Sequence, residues 1–198
     1  MSTLAETILE RTSGLPEGTP IYAKELLHLG SRAAVDQALS RLARRGHLIR
    51  AARGVYFRPV EGRFGRRAPS ASSVVENIAR ITGEAIAPHG AALANKLGLT
   101  TQVPVRSVYL TSGRSRQLKL GSQVVELRHA PRWQFALGNQ SSGEVLQVLA
   151  WLGPERAGAA LRTLKRKLSA SELQAIASAR SMLPSWLAEQ VSEVVVNG

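Results

Sequence analysis

SRAAVDQALSRLARRGHLIRAARGVYFRP, residues 31–59, carries two periodicities in succession. Ser31 is placed to accept a backbone hydrogen bond as an N-cap, and Gly46 to take the left-handed conformation that ends a helix. Between them Val35, Ala38, Leu39 and Leu42 recur at helical spacing and define one buried stripe. The opposite face carries Arg32, Ala33, Asp36, Gln37, Ser40, Arg41 and Arg44. After Gly46 the period becomes that of a strand: Leu48-Ile49-Arg50, a small turn at Ala51 to Gly54, then Val55-Tyr56-Phe57-Arg58. A helix with polar side chains able to read base edges, followed by a hairpin with arginines at its tip, is the pattern of a recognition helix and wing. The expected contacts to DNA are Arg32, Gln37, Ser40, Arg41, Arg44, Arg45, Arg50, Arg53 and Arg58.

Charge separates this reading from that of a solvated helix and hairpin. From Arg32 to Arg67 there are ten arginines against Asp36 and Glu61, a net +8 out of +12 for the whole chain. Solvated faces ordinarily interleave both signs. A block of one sign next to a helix-hairpin unit instead fits a phosphate backbone, where each neutralised phosphate releases counterions.

A chain of 198 residues with 44% hydrophobic content is long enough for one or two domains with substantial cores. A membrane surface would also satisfy net charge, but there is no 18-residue apolar run, and Val145–Leu152 is short and interrupted by Gln147, so no membrane span is expected. MSTLAETILER, at the N-terminus, has two glutamates and lacks the basic start of a signal peptide. Cysteine is absent, which excludes disulfides and thiolate metal sites and makes a cytoplasmic location the expectation.

The order of elements around residues 31–59 supports the same fold. Residues 3–12 form an expected helix, with Thr3 and Glu6 at capping-box spacing. A Gly- and Pro-rich turn over 13–20 leads to a short strand at Ile21-Tyr22 and a second helix from Ala23 to Leu29. Tyr22, Leu26, Leu27, Tyr56 and Phe57 are expected in the core. The winged helix-turn-helix domain is thus placed at 1–60, followed by a basic linker at 61–72, which either lies along the phosphate backbone or is a solvated connector. Residues 73–198 form a C-terminal α/β domain. In it a helix capped by Ser70 or Ser72 reaches Ile81 or Thr82, a strand covers 105–111, and a hairpin turns at Gly121-Ser122. The rest is a helical tail, with capping-box spacing at Ser141/Glu144 and Ser169/Glu172 and helix starts near Pro154 and Pro184. The fold class is therefore mixed α/β (α+β), with a small antiparallel sheet in the second domain. Trp133, Trp151 and Trp186 are read as packing residues.

Two stretches resemble a known family: RGVYFRP (53–59), closing the winged domain, and HGAALANKLGLTTQVP (89–104), followed by the strand SVYLT and a hairpin. Together they are similar to antitoxins of the AbiEi type, in the shorter form with a single C-terminal α/β domain. The resemblance extends to about Leu152. It implies a bacterial antitoxin that binds double-stranded DNA at repeats near its own promoter through the winged domain. It further implies that the C-terminal domain opposes a nucleotidyltransferase-like toxin. It carries over no catalytic residue, and leaves open a monomer that binds cooperatively. Gly98, Leu99, Gln102 and Pro104 are read as shaping a turn. The alternative is a winged-helix transcriptional regulator whose C-terminal domain senses a ligand or dimerises.

Chemistry is otherwise sparse. His28, His47, His89 and His129 have no metal-ligand spacing, and there is no P-loop, G-x-S-x-G or carboxylate pair, so neither an enzyme nor a metal or cofactor is expected. Ser112 to Arg116 is either a phosphate cradle or a hairpin loop. Arg114, Arg116, Lys119, Arg128, Arg132, Arg162, Lys165, Arg166 and Lys167 make a possible second basic surface.

Overall fold

The computed structural model describes residues 3–63, 65–101 and 106–196, a mixed α/β chain whose described part holds eight α-helices and small antiparallel sheets. It packs as two compact units, Met1–Glu84 with Arg116–Glu126, and Ala85–Ser115 with Leu127–Gly198.

In the first unit, α1 (Leu4–Thr12) opens with the expected capping box: Glu6 N–H donates to Thr3 Oγ1 at 3.3 Å, and Thr3 N–H to Glu6 Oε2 at 2.7 Å. Strand β1 (Ile21–Tyr22) follows. The expected second helix over Ala23–Leu29 is instead a single 3-10 turn, Ala23–Leu26. The Ala23 N–H is spent on the carbonyl of Gly54 at 2.9 Å, and the few residues left before Gly30 are too short to sustain an α-helix. Leu27, expected in the core, is consequently exposed.

Helix α2 (Arg32–Arg44) is capped by Ser31, whose Oγ accepts from Ala34 N–H at 3.3 Å. It ends where Gly46, at φ +74°, lets His47 N–H reach back to the Leu42 carbonyl at 2.9 Å. Its stripe of Val35, Ala38, Leu39 and Leu42 is at most 3% exposed and packs with Ile8, Ile21, Leu48 and Tyr56. Strands β2 (Ile49–Ala52) and β3 (Val55–Phe57) complete a three-stranded sheet in the order β1-β3-β2, with Ile21 opposite Tyr56 and Ile49 opposite Phe57. The register slips between Arg50 and Ala52, so the turn shortens to Arg53-Gly54, with Gly54 at φ +71°.

The segment read as a linker is built into this unit. Strands β4 (Val60–Gly62) and β5 (Gly65–Arg67) pair antiparallel. Arg67 then grips both carboxylate oxygens of Glu17, at 2.9 and 3.1 Å, and Ser70 N–H donates to the same carboxylate at 2.9 Å. Helix α3 (Ala71–Thr82), capped by Ser70, is held to the same turn: Asn77 Nδ2 donates to the Glu17 carbonyl at 2.9 Å. A Cβ on Gly18 would fall 2.5 Å from the Ser73 carbonyl carbon. These contacts join residues about fifty positions apart, and they place α3 with the first unit rather than at the start of the second.

In the second unit β6 (Ile86–Pro88) pairs antiparallel with β7 (Ser107–Thr111), Ile86 opposite Thr111. Between them lies α4 (Gly90–Lys96), N-capped by His89 Nδ1. Gln102 and Pro104 lie outside the described residues. The chain returns to the first unit for β8 (Arg116–Leu120) and the start of β9 (Gln123–His129), a hairpin turning at Gly121 as expected. Four helices follow: α5 (Ser141–Leu152), α6 (Pro154–Lys165), α7 (Ala170–Ser178) and α8 (Ser185–Val191). Leu146, Leu149, Leu161, Leu164, Ile176 and Leu187 form their core, with Trp133 and Trp186 packed against it.

The capping box at Ser169/Glu172 is present, whereas Ser141 is the first residue of its helix and not the cap. Glu144 does not turn back because Lys96 Nζ takes its carboxylate at 2.8 Å. Gly90 is a packing requirement: a Cβ there would lie 2.3 Å from the Gln147 carbonyl oxygen, so only glycine lets α4 approach α5 this closely.

Two measurements check the anchoring of α3. Gly18→Ala combines a left-handed backbone with a backbone clash and should cost about 2–4 kcal/mol in a urea melt. Glu17→Gln should also lower stability at neutral pH. The Arg67 hydrogen bonds, then the Ser70 N–H, hold the Glu17 carboxyl below its ordinary value of 4.5. A lowered folded-state pKa means the stabilisation is complete above 4.5 and is lost as pH falls through the folded value. Melting curves of wild type and Glu17→Gln should therefore converge in acid; a constant gap at every pH would contradict the ion-pair account.

Candidate nucleic-acid interface

An α-helix advances about 100° per residue, so burying Val35, Ala38, Leu39 and Leu42 turns Ala33, Gln37, Ser40, Arg41 and Arg44 to the far side. Gln37, Arg41 and Arg44 are exposed and Ser40 is half-buried. Arg45, the C-cap, is exposed beside them. On the hairpin, Arg50 stands opposite Tyr56 and points to solvent while Tyr56 is 3% exposed, and Arg53 occupies the tip. The tip is fixed on its other side by the Ala23–Gly54 hydrogen bond.

The counter-charges are as informative as the cations. Arg66 pairs with Glu61, Arg67 with Glu17, Lys96 with Glu144 and Arg116 with Glu84, all at 2.8–2.9 Å. Among the described residues, Arg41, Arg44, Arg45, Arg50 and Arg53 make no ion pair and no side-chain hydrogen bond. The helix macrodipole favours cations at the end of α2, which accounts for part of the first three. It does not reach Arg50 and Arg53 on the hairpin. Five guanidinium groups without an internal partner among the described residues thus fall within thirteen residues.

Two of the nine expected contacts stand apart. Arg32 is engaged with Asp36 through Nε at 2.8 Å, an i,i+4 pair on the same helix. Arg58, just past β3, is half-buried, and its Nη1 is withdrawn from solvent without a hydrogen-bond partner. Strand alternation ends at Phe57, which is fully buried, so Arg58 does not continue the exposed row of the hairpin. Conversely, the linker reading missed Arg63 as a turn residue: it sits exposed between β4 and β5. The flanking Gly62 and Gly65 were the available signal.

Arg116 and Lys119 belong to the first unit, and Arg114, Arg162, Lys165, Arg166 and Lys167 to the second. Arg162 approaches Glu193 at 3.8 Å, and Lys165 Nζ donates to the Val194 carbonyl at 2.9 Å, closing the C-terminal turn. In the Ser112–Arg116 loop two backbone donors are already engaged. Ser112 N–H donates to Ala85 O and Gly113 N–H to Thr111 Oγ1. Among the described residues, no group of three or more histidine or acidic side chains is arranged to hold a metal ion, and no helix is long and apolar enough to cross a membrane.

A family of unknown function, DUF6088, matches residues 7–173. The crystal structure of RV2827C protein from Mycobacterium tuberculosis is similar in fold, with a TM-score of 0.53 and 15% identity over 99% of this chain and 77% of that one. No curated protein matches.

Since Arg50 and Arg53 have no internal partner, removing them should leave the fold intact. Arg50→Ala and Arg53→Ala should each lie within about 0.5 kcal/mol of wild type in urea melts, whereas Ser31→Ala should cost about 1 kcal/mol through loss of the α2 cap.

Proposed function

The chain belongs to the DUF6088 family, matched over residues 7–173, and we propose that it is a double-stranded-DNA-binding repressor whose first unit contains a winged helix-turn-helix. The reading is carried by one observation: five arginines without internal partners lie on the exposed side and end of α2 and on the β2–β3 hairpin. In this reading α2 is the recognition helix. Gln37 and Arg41, one turn apart, reach base edges, Gln suiting adenine and Arg suiting guanine. Ser40 and Arg44 flank them. Arg45 at the helix end and Arg50 and Arg53 on the wing contact phosphates, which position the protein without reading sequence. Arg32, engaged by Asp36, and Arg58, with a withdrawn Nη1, are secondary at most.

The resemblance to AbiEi-type antitoxins supports a fuller role. The protein would occupy repeats near its own promoter and silence a toxin–antitoxin operon in the bacterial cytoplasm. The second unit, with its helical core, would counter a nucleotidyltransferase-like toxin. A nucleotidyltransferase-like open reading frame beside this gene, whose product arrests growth unless this chain is co-expressed, is the expected genetic outcome. An unrelated neighbour, with repression intact, would favour an ordinary transcriptional regulator.

DNA binding is tested by anisotropy with the full chain and duplexes from upstream of its gene. If about 6 phosphates are neutralised, affinity should fall roughly a thousandfold between 50 and 200 mM salt. Arg41→Ala should cost about 1–3 kcal/mol on the cognate duplex and less on random sequence, while Arg53→Ala should weaken both alike and reduce the salt slope. A flat salt response would remove the electrostatic basis of the proposal. Equal losses for Arg41→Ala on both duplexes would reassign that residue to phosphate contact.

A further inference from the structure

The first unit contains a cleft of about 500 Å³ that the proposed DNA contacts do not use. One wall is formed by strands, through Ala52, Val55 and Leu118, and the other by α3, through Ile78 and Ile81. Two apolar walls of this kind make a slot. Ile81 is 43% exposed, an unusual state for an isoleucine whose neighbour Ile78 is 1% exposed. The volume lies within the range of small-molecule sites, which combine apolar walls with a few convergent polar groups.

Those polar groups are present. Tyr22 lines the cleft, and its hydroxyl makes no hydrogen bond among the described residues. Burial is the main reason that its pKa is raised, so at neutral pH it is an O–H donor. Beside it Arg116 Nη2 donates to Glu84 Oε2 at 2.8 Å, with side chains 29% and 21% exposed. That pair offers a guanidinium donor and a carboxylate acceptor at one place. Lys24 and Glu25 complete the ionised lining, and Lys24 Nζ lies 5.4 Å from the centre of the Tyr22 ring. Two cations against two carboxylates leave no net charge, so neither an anionic nor a cationic ligand is favoured.

We propose that this cleft is a binding site for an uncharged planar heteroaromatic molecule bearing an amide-like edge. The ring would lie between the strand wall and α3, its donor and acceptor edge facing Tyr22 and the Arg116–Glu84 pair. This site is additional to the DNA-binding surface and does not depend on it.

The test uses the full chain without DNA and quinazolin-4-one as probe, with 1-naphthoate as an anionic bicyclic of similar size. Methyl resonances are followed by NMR. Saturable shifts at Val55, Ile78 and Leu118 are expected at millimolar probe or below, with 1-naphthoate at least about tenfold weaker. Ile81→Trp, at an already exposed position, should fill the slot and weaken the probe by about tenfold or more. Tyr22→Phe, which keeps the ring, should weaken it about three- to tenfold through one lost hydrogen bond. No saturable shift, shifts centred elsewhere, binding of 1-naphthoate as strong as the probe, or an unchanged affinity in Tyr22→Phe would each overturn the proposal. None of these readouts involves DNA, so this inference and the repressor reading fail separately.

Discussion

Burial of one stripe on α2 sets the geometry of the first unit. Val35, Ala38, Leu39 and Leu42 can be removed from water only against Ile8, Ile21, Leu48 and Tyr56. That packing fixes the rotation of the helix about its axis. Once it is fixed, Gln37, Arg41 and Arg44 have no choice but to face outward, because residues on opposite sides of a helix cannot both be buried against one surface. The β2–β3 hairpin is tied to the same core through Tyr56, and its tip to the preceding 3-10 turn through Ala23 and Gly54. Arg41 and Arg44 are thus carried on α2 and Arg50 on β2, while Arg45 and Arg53 sit in the turns that follow those elements.

Placing like charges together without counter-ions works against folding, since each guanidinium raises the potential felt by the next. Elsewhere several arginines are matched by carboxylates. The pairs of Arg67 with Glu17 and Arg116 with Glu84 show carboxylates supplied from distant sequence positions where an arginine has a structural task. Arg41, Arg44, Arg45, Arg50 and Arg53 have no such partner among the described residues, and in the proposed reading a phosphate backbone would supply their counter-charge. The fold similarity to the mycobacterial structure, at 15% identity, concerns shape and adds nothing about the partner.

Local signals in the sequence were readable where the stabilising interaction was itself local. The Thr3/Glu6 and Ser169/Glu172 capping boxes, the Ser31 cap, the α2 stripe and the Gly121 hairpin all involve residues a few positions apart. What escaped the sequence depended on partners far along the chain. Glu17 meets Arg67 and Ser70 from about fifty residues away, and that contact turns an apparent linker into a hairpin and an anchored helix. Glu144 is diverted from capping by Lys96, and the Ala23 N–H by Gly54. For the candidate interface, the periodicity identified which side of α2 is exposed. It could not reveal that Asp36 engages Arg32, nor that the guanidinium of Arg58 turns inward.

The central claim is that the exposed side of α2 enters the major groove. The chain has no cysteine, so Ser40→Cys creates a single attachment point for an iron chelate that cleaves DNA by short-range radicals. On a duplex from upstream of the gene, the account predicts cleavage confined to a few base pairs around one major groove in each bound site, lost when salt is raised. Diffuse cleavage along the whole fragment, or cutting centred on a minor groove, would contradict it.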